Sequence, residues 1–220
     1  MFYTDKPSNF LRMGDIVEGY VLAVPEIKTP FKKSFVDYQV VVDLPKLLVV
    51  LTPCCSIGDK KISLVPLEEV SKRRKLFEVP YLKTDMTNIN RMMEPEKTFT
   101  PEDWGMLKSD EQQKIISRSR DYQFDPLFVY AEHDSLPKFD VKLKGGEKFT
   151  SGYYMIDFRK ASRLKCECVI SPNDEKHFNE EIRQQLLTSK KLELHRDSRQ
   201  ELRDKISNYY HRVPNEDKIE

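Results

Sequence analysis

The sequence predicts an α+β protein with a small N-terminal β-barrel or curled sheet, a helical insertion and C-terminal helices. Strand-like segments crowd the first third of the 220 residues, helix start signals follow in a polar middle region, and the end carries one apolar stripe on a charged background. This length is enough to bury a sizeable core. We therefore treat residues 1–220 as a single α+β domain.

The β-rich region covers residues 12–67. Its strand-like segments are rich in Val, Leu and Tyr and lie at residues 15–23, 34–43, 47–52 and 61–67. Proline residues and the Gly58-Asp59 step separate them, as is typical of turns. Four closely spaced strands favour a small curled sheet or a barrel.

The helical insertion covers residues 68–125 and is followed by a return to β structure over 126–170. Residues 67–77 are predicted to be helical, and Thr100-Pro101-Glu102-Asp103 has the hydroxyl, proline and acids of a helix start. The single tryptophan, Trp104, is expected in the core. Strands are predicted at 126–131, 152–158 and 162–170, with a polar loop over 132–150.

A helical tail is predicted over residues 171–213, with helices at 171–187 and 196–212. The second helix has an apolar stripe with helical spacing, formed by Leu202, Ile206, Tyr209, Tyr210 and Val213. Such a stripe packs either on the protein's own sheet or on a partner protein.

Composition excludes several classes of protein. No apolar run approaches the roughly 20 residues that span a bilayer, and the N-terminus lacks the pattern of a secretory signal. Four cysteines are too few for a disulfide scaffold, so we expect reduced thiols. These features predict a cytoplasmic protein that does not contact a membrane.

The seven glycines form neither a G-x-G-x-x-G nor a G-x-x-x-x-G-K-[ST] pattern. Those glycines are what lets the backbone wrap a pyrophosphate at the start of a helix. We therefore expect no nucleotide cofactor.

The net charge is +1, and both parts of the chain are balanced: residues 1–100 hold 15 basic and 13 acidic side chains, and residues 101–220 hold 22 and 23. Attraction to nucleic acid must then come from local groups. The candidates for phosphate contact are Lys46 and the basic cluster Lys72, Arg73, Arg74 and Lys75, which otherwise forms the solvated face of a helix.

The cysteines form a candidate zinc site. Cys166 and Cys168 share one face of a predicted strand, and Cys55 could join them, with a histidine as the fourth ligand. Two other interpretations stay open: the cysteines are small buried residues, or Cys55 is a reactive thiol. Our prediction is no cofactor, with zinc as the alternative.

His133 and Asp134 follow a predicted strand end, where catalytic groups are common. A histidine beside carboxylates could act as a general base near neutral pH. The alternative is an ordinary polar loop.

Three short segments resemble the MazF/PemK toxin barrel over roughly residues 12–70. These are Gly14-Asp15-Ile16-Val17, residues 45–52 (PKLLVVLT) and residues 62–67 (ISLVPL). The resemblance implies a barrel that cleaves RNA without metal, using an arginine and a hydroxyl or acid. Thr52 matches a recurring hydroxyl position of the family, whereas the arginine expected before Pro45 is Leu44 here, with Lys46 after the proline.

These observations lead to a functional hypothesis: a binding or regulatory protein that contacts RNA or a protein partner and is not catalytic. Two enzyme alternatives remain. One is a ribonuclease of toxin type that uses Thr52 and His133, and the other is a zinc-dependent hydrolase that uses the cysteines.

Overall fold

A computed structural model describes residues 1–27, 38–53, 61–78, 82, 85–90, 100–113, 124, 126–143, 146–165 and 189–210. They fall into two compact units, each built from separate stretches of chain. The first unit contains Met1, Tyr3–Leu67 and Lys160–His195; the second contains Phe2, Glu68–Arg159 and Arg196–Glu220. Several antiparallel sheets and separate helices confirm the α+β class.

The first unit is centred on a five-stranded antiparallel sheet. Its strands are β1 (Ile16–Val17), β4 (Leu48–Val50), β5 (Lys61–Pro66), β11 (Ser162–Lys165) and β12 (Lys190–Leu192), in the order β11-β5-β4-β1-β12. Its main core cluster is aliphatic and consists of Leu11, Val17, Leu22, Leu48, Val50, Ile62 and Leu64. Within the described residues β11 and β12 are the two edges, so the sheet is open and the barrel option is not found.

A separate hairpin of β2 (Leu22–Ile27) and β3 (Tyr38–Asp43) completes the strands of the first unit. The sequence predicts one strand over residues 15–23, but the chain leaves the sheet after β1. Gly19 has φ +82°, a left-handed conformation that side chains disfavour, and it divides the predicted strand into β1 and β2.

A buried group of charges, the Asp15–Lys190–Glu193 cluster, lies where the N-terminal segment and the C-terminal segment of the first unit meet. The Lys190 ammonium lies 2.9 Å from Oδ2 of Asp15 and 2.6 Å from Oε2 of Glu193, and all three side chains are at most 5% exposed. It also donates to the backbone oxygens of Ser8 and Phe10 at 3.2 and 3.0 Å. The cluster therefore joins the N-terminal segment to β12, far along the chain.

The local backbone places Asp15 in this cluster. Gly14 has φ +90° and donates to the backbone oxygen of Val50 at 2.7 Å, which fixes the turn in front of β1. The Arg12 N–H then donates to Oδ2 of Asp15 at 2.7 Å. Burial raises the pKa of Asp15 to about 7, although the charge and hydrogen bond of Lys190 oppose this. One ammonium thus faces two carboxyl groups, and Asp15 is the one that takes up a proton.

The second unit contains a three-stranded sheet in the order β6-β10-β7, formed by β6 (Glu68–Glu69), β7 (Leu127–Tyr130) and β10 (Tyr154–Asp157). Every residue of β7 is buried. At the outer edge of β7, the side chain of Asn90 bonds both backbone groups of Val129. Its amide nitrogen donates to the backbone oxygen at 2.6 Å, and its amide oxygen accepts from the N–H at 2.7 Å.

Two elements of the second unit differ from the sequence prediction. Residues 67–77 form β6 and two 3₁₀ turns, Val70–Lys72 and Arg74–Glu78, instead of an α-helix. The predicted loop over 132–150 contains a hairpin of β8 (Phe139–Lys142) and β9 (Lys148–Ser151). The segment Phe139–Lys142 (FDVK) alternates apolar and charged residues, which is the pattern of a half-buried strand, so the sequence prediction missed a signal that was present.

The helices are closer to the prediction. Helix α1 (Pro101–Met106) begins as expected, since Oγ1 of Thr100 accepts from the Asp103 N–H at 3.1 Å, but Trp104 is only half-buried instead of lying in the core. The predicted helix at 196–212 is α2 (Arg196–Tyr210), and the one at 171–187 lies outside the described residues. No helix within the described ranges has the length and apolar character needed to cross a membrane.

The first part of the apolar stripe of α2 packs within the second unit, whereas Val213 lies outside the described residues. Leu202 is fully buried, the Lys205 ammonium donates to the backbone oxygen of Ile89, and Tyr209 contacts Phe158. Tyr210 is exposed at the end of the helix.

We predict that Lys190→Met lowers the free energy of unfolding by about 3–5 kcal/mol, because it leaves the buried carboxyl of Asp15 without a cation and leaves Glu193 with only the longer contact to Arg12 at 3.4 Å. Urea denaturation measures the loss. The neighbouring Lys191 is the matched control: it pairs with Glu18 at 2.7 Å, but both side chains are at least 40% exposed, so Lys191→Met should cost about 0–1 kcal/mol. Equal losses in the two variants would contradict a special role for the buried pair.

We also predict a pH dependence that Asp15→Asn removes. The pKa of Asp15 is about 7 in the folded chain against an ordinary value of 3.8, so the folded state binds this proton more tightly. Its contribution to stability is therefore complete below pH 3.8 and is lost as the pH rises through 7, with a slope of at most about 1.4 kcal/mol per pH unit. Urea denaturation between pH 4 and 8 should show a flatter profile for Asp15→Asn, and an unchanged slope would refute the prediction.

Candidate nucleic-acid interface

The basic surface of the second unit is built around Asp157, the last residue of β10. This carboxylate is only 3% exposed. The chain turns immediately afterwards into the 3₁₀ segment Phe158–Lys160, and the Phe158 N–H donates to the backbone oxygen of Pro126 at 2.8 Å. A charged group at the end of a fully buried strand needs partners of opposite charge.

Two arginines supply them. Arg159 makes a two-point contact, with Nε 2.8 Å from Oδ1 and Nη2 2.5 Å from Oδ2 of Asp157. Nη2 of Arg73 lies 2.6 Å from the same Oδ2. Because both Nη2 atoms bond one oxygen, they are no more than about 5 Å apart. Asp157, Arg73 and Arg159 are called the arginine pair site below.

Pairing between β6 and β10 brings Arg73 to this position. Glu68 and Glu69 lie opposite Met155 and Tyr154, so the antiparallel β6 ends beside the start of β10 and leads away from Asp157. The 3₁₀ turn Val70–Lys72 then redirects the chain, and the Arg73 N–H closes it by donating to the backbone oxygen of Val70 at 2.9 Å.

The ion pairs of the arginine pair site favour the charged forms of Asp157 and Arg159. Burial alone would raise the pKa of Asp157, but the hydrogen bonds and charge of Arg159, with the charge of Arg73, outweigh it and hold the pKa below its ordinary value. The hydrogen bond to Asp157 raises the pKa of Arg159, and the charges of Asp157 and Tyr209 add to it. One carboxylate and two guanidinium groups leave a net charge of +1.

The positive charge faces solvent. The side chains of Arg73 and Arg159 are 41% and 52% exposed. Among the residues that the structure describes, their only hydrogen-bond acceptor is Asp157, so the other guanidinium N–H groups point to no protein partner. Guanidinium groups held in this way match the oxygens of a phosphate.

The predicted basic cluster contributes unequally to this surface. Arg73 belongs to the arginine pair site, Lys75 is exposed, and Lys72 makes an ion pair with Glu68 at 3.0 Å. The side chain of Arg74 lies outside the described part of the structure. Lys46 is exposed in the first unit, just before β4.

The predicted catalytic residues Thr52 and His133 belong to different units. Oγ1 of Thr52 accepts from the Ser63 N–H at 2.6 Å and so stabilises the sheet. Nδ1 of His133 accepts from the Ser135 N–H at 3.0 Å, which closes a turn containing the exposed Asp134. The contact of His133 is typical of an ordinary polar turn, which is one of the two interpretations given above for His133 and Asp134.

The predicted zinc ligands Cys55, Cys166 and Cys168 all lie outside the described residues. Within the part of the chain that is described, no group of three or more His, Cys, Asp or Glu side chains is placed to hold a metal ion. The zinc site stays a prediction.

Sequence reasoning missed Asp157 and Arg159. The available signal was a lone acid at the end of an apolar strand, in the segment Tyr153–Lys160 (YYMIDFRK), because a buried carboxylate implies a nearby cation. The sequence does not indicate that the second cation, Arg73, comes from a segment 84 residues away.

Comparison with protein-family models, curated proteins and solved structures finds no match for this chain. The resemblance to the toxin barrel therefore stays a prediction.

We predict that Asp157→Asn lowers the free energy of unfolding at pH 7 by about 1.5–3 kcal/mol, since it removes hydrogen bonds to charged groups. The pKa of Asp157 is lowered from 3.8, so its stabilisation is present above that pH and is lost as the pH falls further. The difference between parent and variant, measured by urea denaturation, should shrink below about pH 4. Asp134→Asn, in the exposed turn, serves as the control and should have little effect; a pH-independent loss in Asp157→Asn would count against the ionised pair.

Proposed function

We propose that this protein binds RNA through phosphate contacts at Arg73 and Arg159 and does not cleave it. The observation that carries the proposal is the arginine pair site. One buried carboxylate there binds two half-exposed guanidinium groups, whose Nη2 atoms are no more than about 5 Å apart. A cytoplasmic location, as expected from the sequence, agrees with this role.

Preorganisation supports phosphate as the ligand. An arginine that is free in solvent loses side-chain freedom when it binds, which costs about 0.5–1.5 kcal/mol for each immobilised side chain. Asp157 already restricts both arginine side chains in the folded protein, so part of this loss of side-chain freedom occurs during folding and not during binding. Arginine pairs with phosphate oxygens through two parallel hydrogen bonds, which a lysine cannot do.

The charge distribution favours a local contact. With a net charge of +1, the whole chain exerts little general attraction on a polyanion. The arginine pair site and the neighbouring Lys75 concentrate positive charge in one region of the second unit. We therefore propose contact with a few phosphates only.

Two observations favour RNA binding over the alternatives. Leu202, the first residue of the stripe proposed for a protein partner, is fully buried within the second unit. At the arginine pair site itself, the lowered pKa makes the carboxylate of Asp157 a weak base that is poorly suited to general base catalysis at neutral pH, which supports binding at this site rather than cleavage.

Binding of a 5′-labelled ten-nucleotide oligouridine, measured by fluorescence anisotropy at several salt concentrations, tests the proposal. We expect affinity to fall with salt at a slope of about −1.4 in the log–log plot, the value for two phosphates on a single strand. Arg73→Gln and Arg159→Gln should each weaken binding several-fold and reduce the slope by about 0.7.

Arg196→Gln is the matched control. It removes the same charge at the other end of α2, which is roughly 20 Å from Tyr209 along the helix axis at 1.5 Å per residue. Thermal unfolding verifies that each variant is folded, and incubation of the parent with the RNA in EDTA should leave it intact. Salt-independent binding by the parent, an equal loss in Arg196→Gln, or cleavage of the RNA would each overturn the proposal.

A further inference from the structure

A series of aromatic contacts connects the segment of the arginine pair site to an exposed tyrosine. Phe158 sits between Asp157 and Arg159 in the chain, and its ring centroid is 5.8 Å from that of Tyr209. The ring of Tyr209 is in turn 5.0 Å from that of Tyr210, at an interplanar angle of 70°. Three rings therefore lead from the arginine pair site to the surface at the end of α2.

Burial decreases along this series. Phe158 is 1% exposed, Tyr209 is half-buried and Tyr210 is 61% exposed. The ring of Tyr210 is thus largely in solvent although it packs edge-to-face on Tyr209. A tyrosine has only two side-chain torsions, so contact with a buried neighbour restricts its ring at low entropic cost.

Ring contacts connect Tyr210 to the segment that carries Arg159. The Tyr210 centroid is no more than about 11 Å from the Phe158 centroid, because the two ring contacts are consecutive. Phe158 directly precedes Arg159 in the chain, and Tyr209 is close enough to contribute to the raised pKa of Arg159, after the hydrogen bond and charge of Asp157. A ligand that extends over several nucleotides can therefore reach both the arginines and Tyr210.

We propose that the arginine pair site and Tyr210 together bind single-stranded RNA, with Tyr210 stacking on an unpaired base while Arg73 and Arg159 hold neighbouring phosphates. This inference rests on the proposed function and adds the substrate class. In a duplex both faces of an internal base are already stacked, whereas in a single strand a face is available to an aromatic side chain. A charged groove with an aromatic ring is the combination that single-strand binders use.

Three labelled probes test the inference: a ten-nucleotide oligouridine, an RNA hairpin duplex with equal numbers of phosphates, and a ten-nucleotide abasic RNA that keeps phosphates and sugars only. The parent should bind oligouridine at least tenfold more tightly than the abasic strand, and more tightly than the duplex. Tyr210→Ala should weaken oligouridine binding about tenfold, the effect of one lost stacking contact, and should leave abasic binding unchanged.

Tyr210→Phe is the matched control, since it keeps the ring and removes only the hydroxyl; it should bind oligouridine as the parent does. Equal losses on oligouridine and abasic RNA in Tyr210→Ala, or a Tyr210→Phe variant as weak as Tyr210→Ala, would overturn the stacking role. Because Tyr210 is mostly exposed, neither variant should change the melting temperature.

The two proposals fail differently. If the arginine variants weaken all three probes and Tyr210→Ala weakens none, phosphate binding stands and the single-strand inference falls. If Tyr210→Ala alone reduces oligouridine binding, stacking stands and the arginine pair site is not the phosphate contact. Equal affinity of the parent for duplex and oligouridine also refutes the inference.

Discussion

The first unit depends on the ion pairs and hydrogen bonds of the buried Lys190 ammonium. It lies between Asp15 and Glu193 and also bonds the backbone of the N-terminal segment, so one charge holds together parts of the chain that are more than 170 residues apart. The hydrogen bonds of Lys190 and Ser8 outweigh burial and lower the pKa of Glu193 to about 2, while burial raises that of Asp15. The cluster therefore contains an ionised pair of Lys190 and Glu193 and a second acid, Asp15, that takes up a proton far more readily than Glu193 does. Such a pair adds little net stability compared with apolar packing, but it fixes which segments meet.

The second unit uses the same chemistry in the opposite arrangement. In the first unit a buried ammonium lies between two acids and all three groups are enclosed; only Arg12, 3.4 Å from Glu193, is partly exposed. At Asp157 a buried acid has two cations, and their outer sides reach solvent. An enclosed group of charges can only support structure, whereas an excess of half-exposed, oriented cations can also bind an anion. This difference, and not the number of basic residues, distinguishes a candidate site from a structural ion pair.

The sequence allowed much of the secondary structure to be predicted, because strands such as β4 and β7 have continuous apolar residues and α1 has a proper N-cap. The prediction failed where local structure depends on tertiary contacts. Residues 67–77 have helical spacing, but Glu68 and Glu69 pair with β10 and form a strand. The site was predictable only as the cluster around Arg73. Asp157 and Arg159 are only two residues apart, so their ion pair had a local signal that the sequence prediction missed. The contact with Arg73, 84 residues away, leaves no local pattern.

The Asn90 amide has a consequence for the behaviour of the chain among other copies of itself. Among the described strands, β7 lies at the edge of its sheet, and an open edge of apolar composition is a template on which further strands can assemble. The amide oxygen and nitrogen take up the outward hydrogen-bonding groups of Val129, in the middle of that edge. In the folded chain these two groups are therefore already bonded and offer no pairing to a strand of another copy.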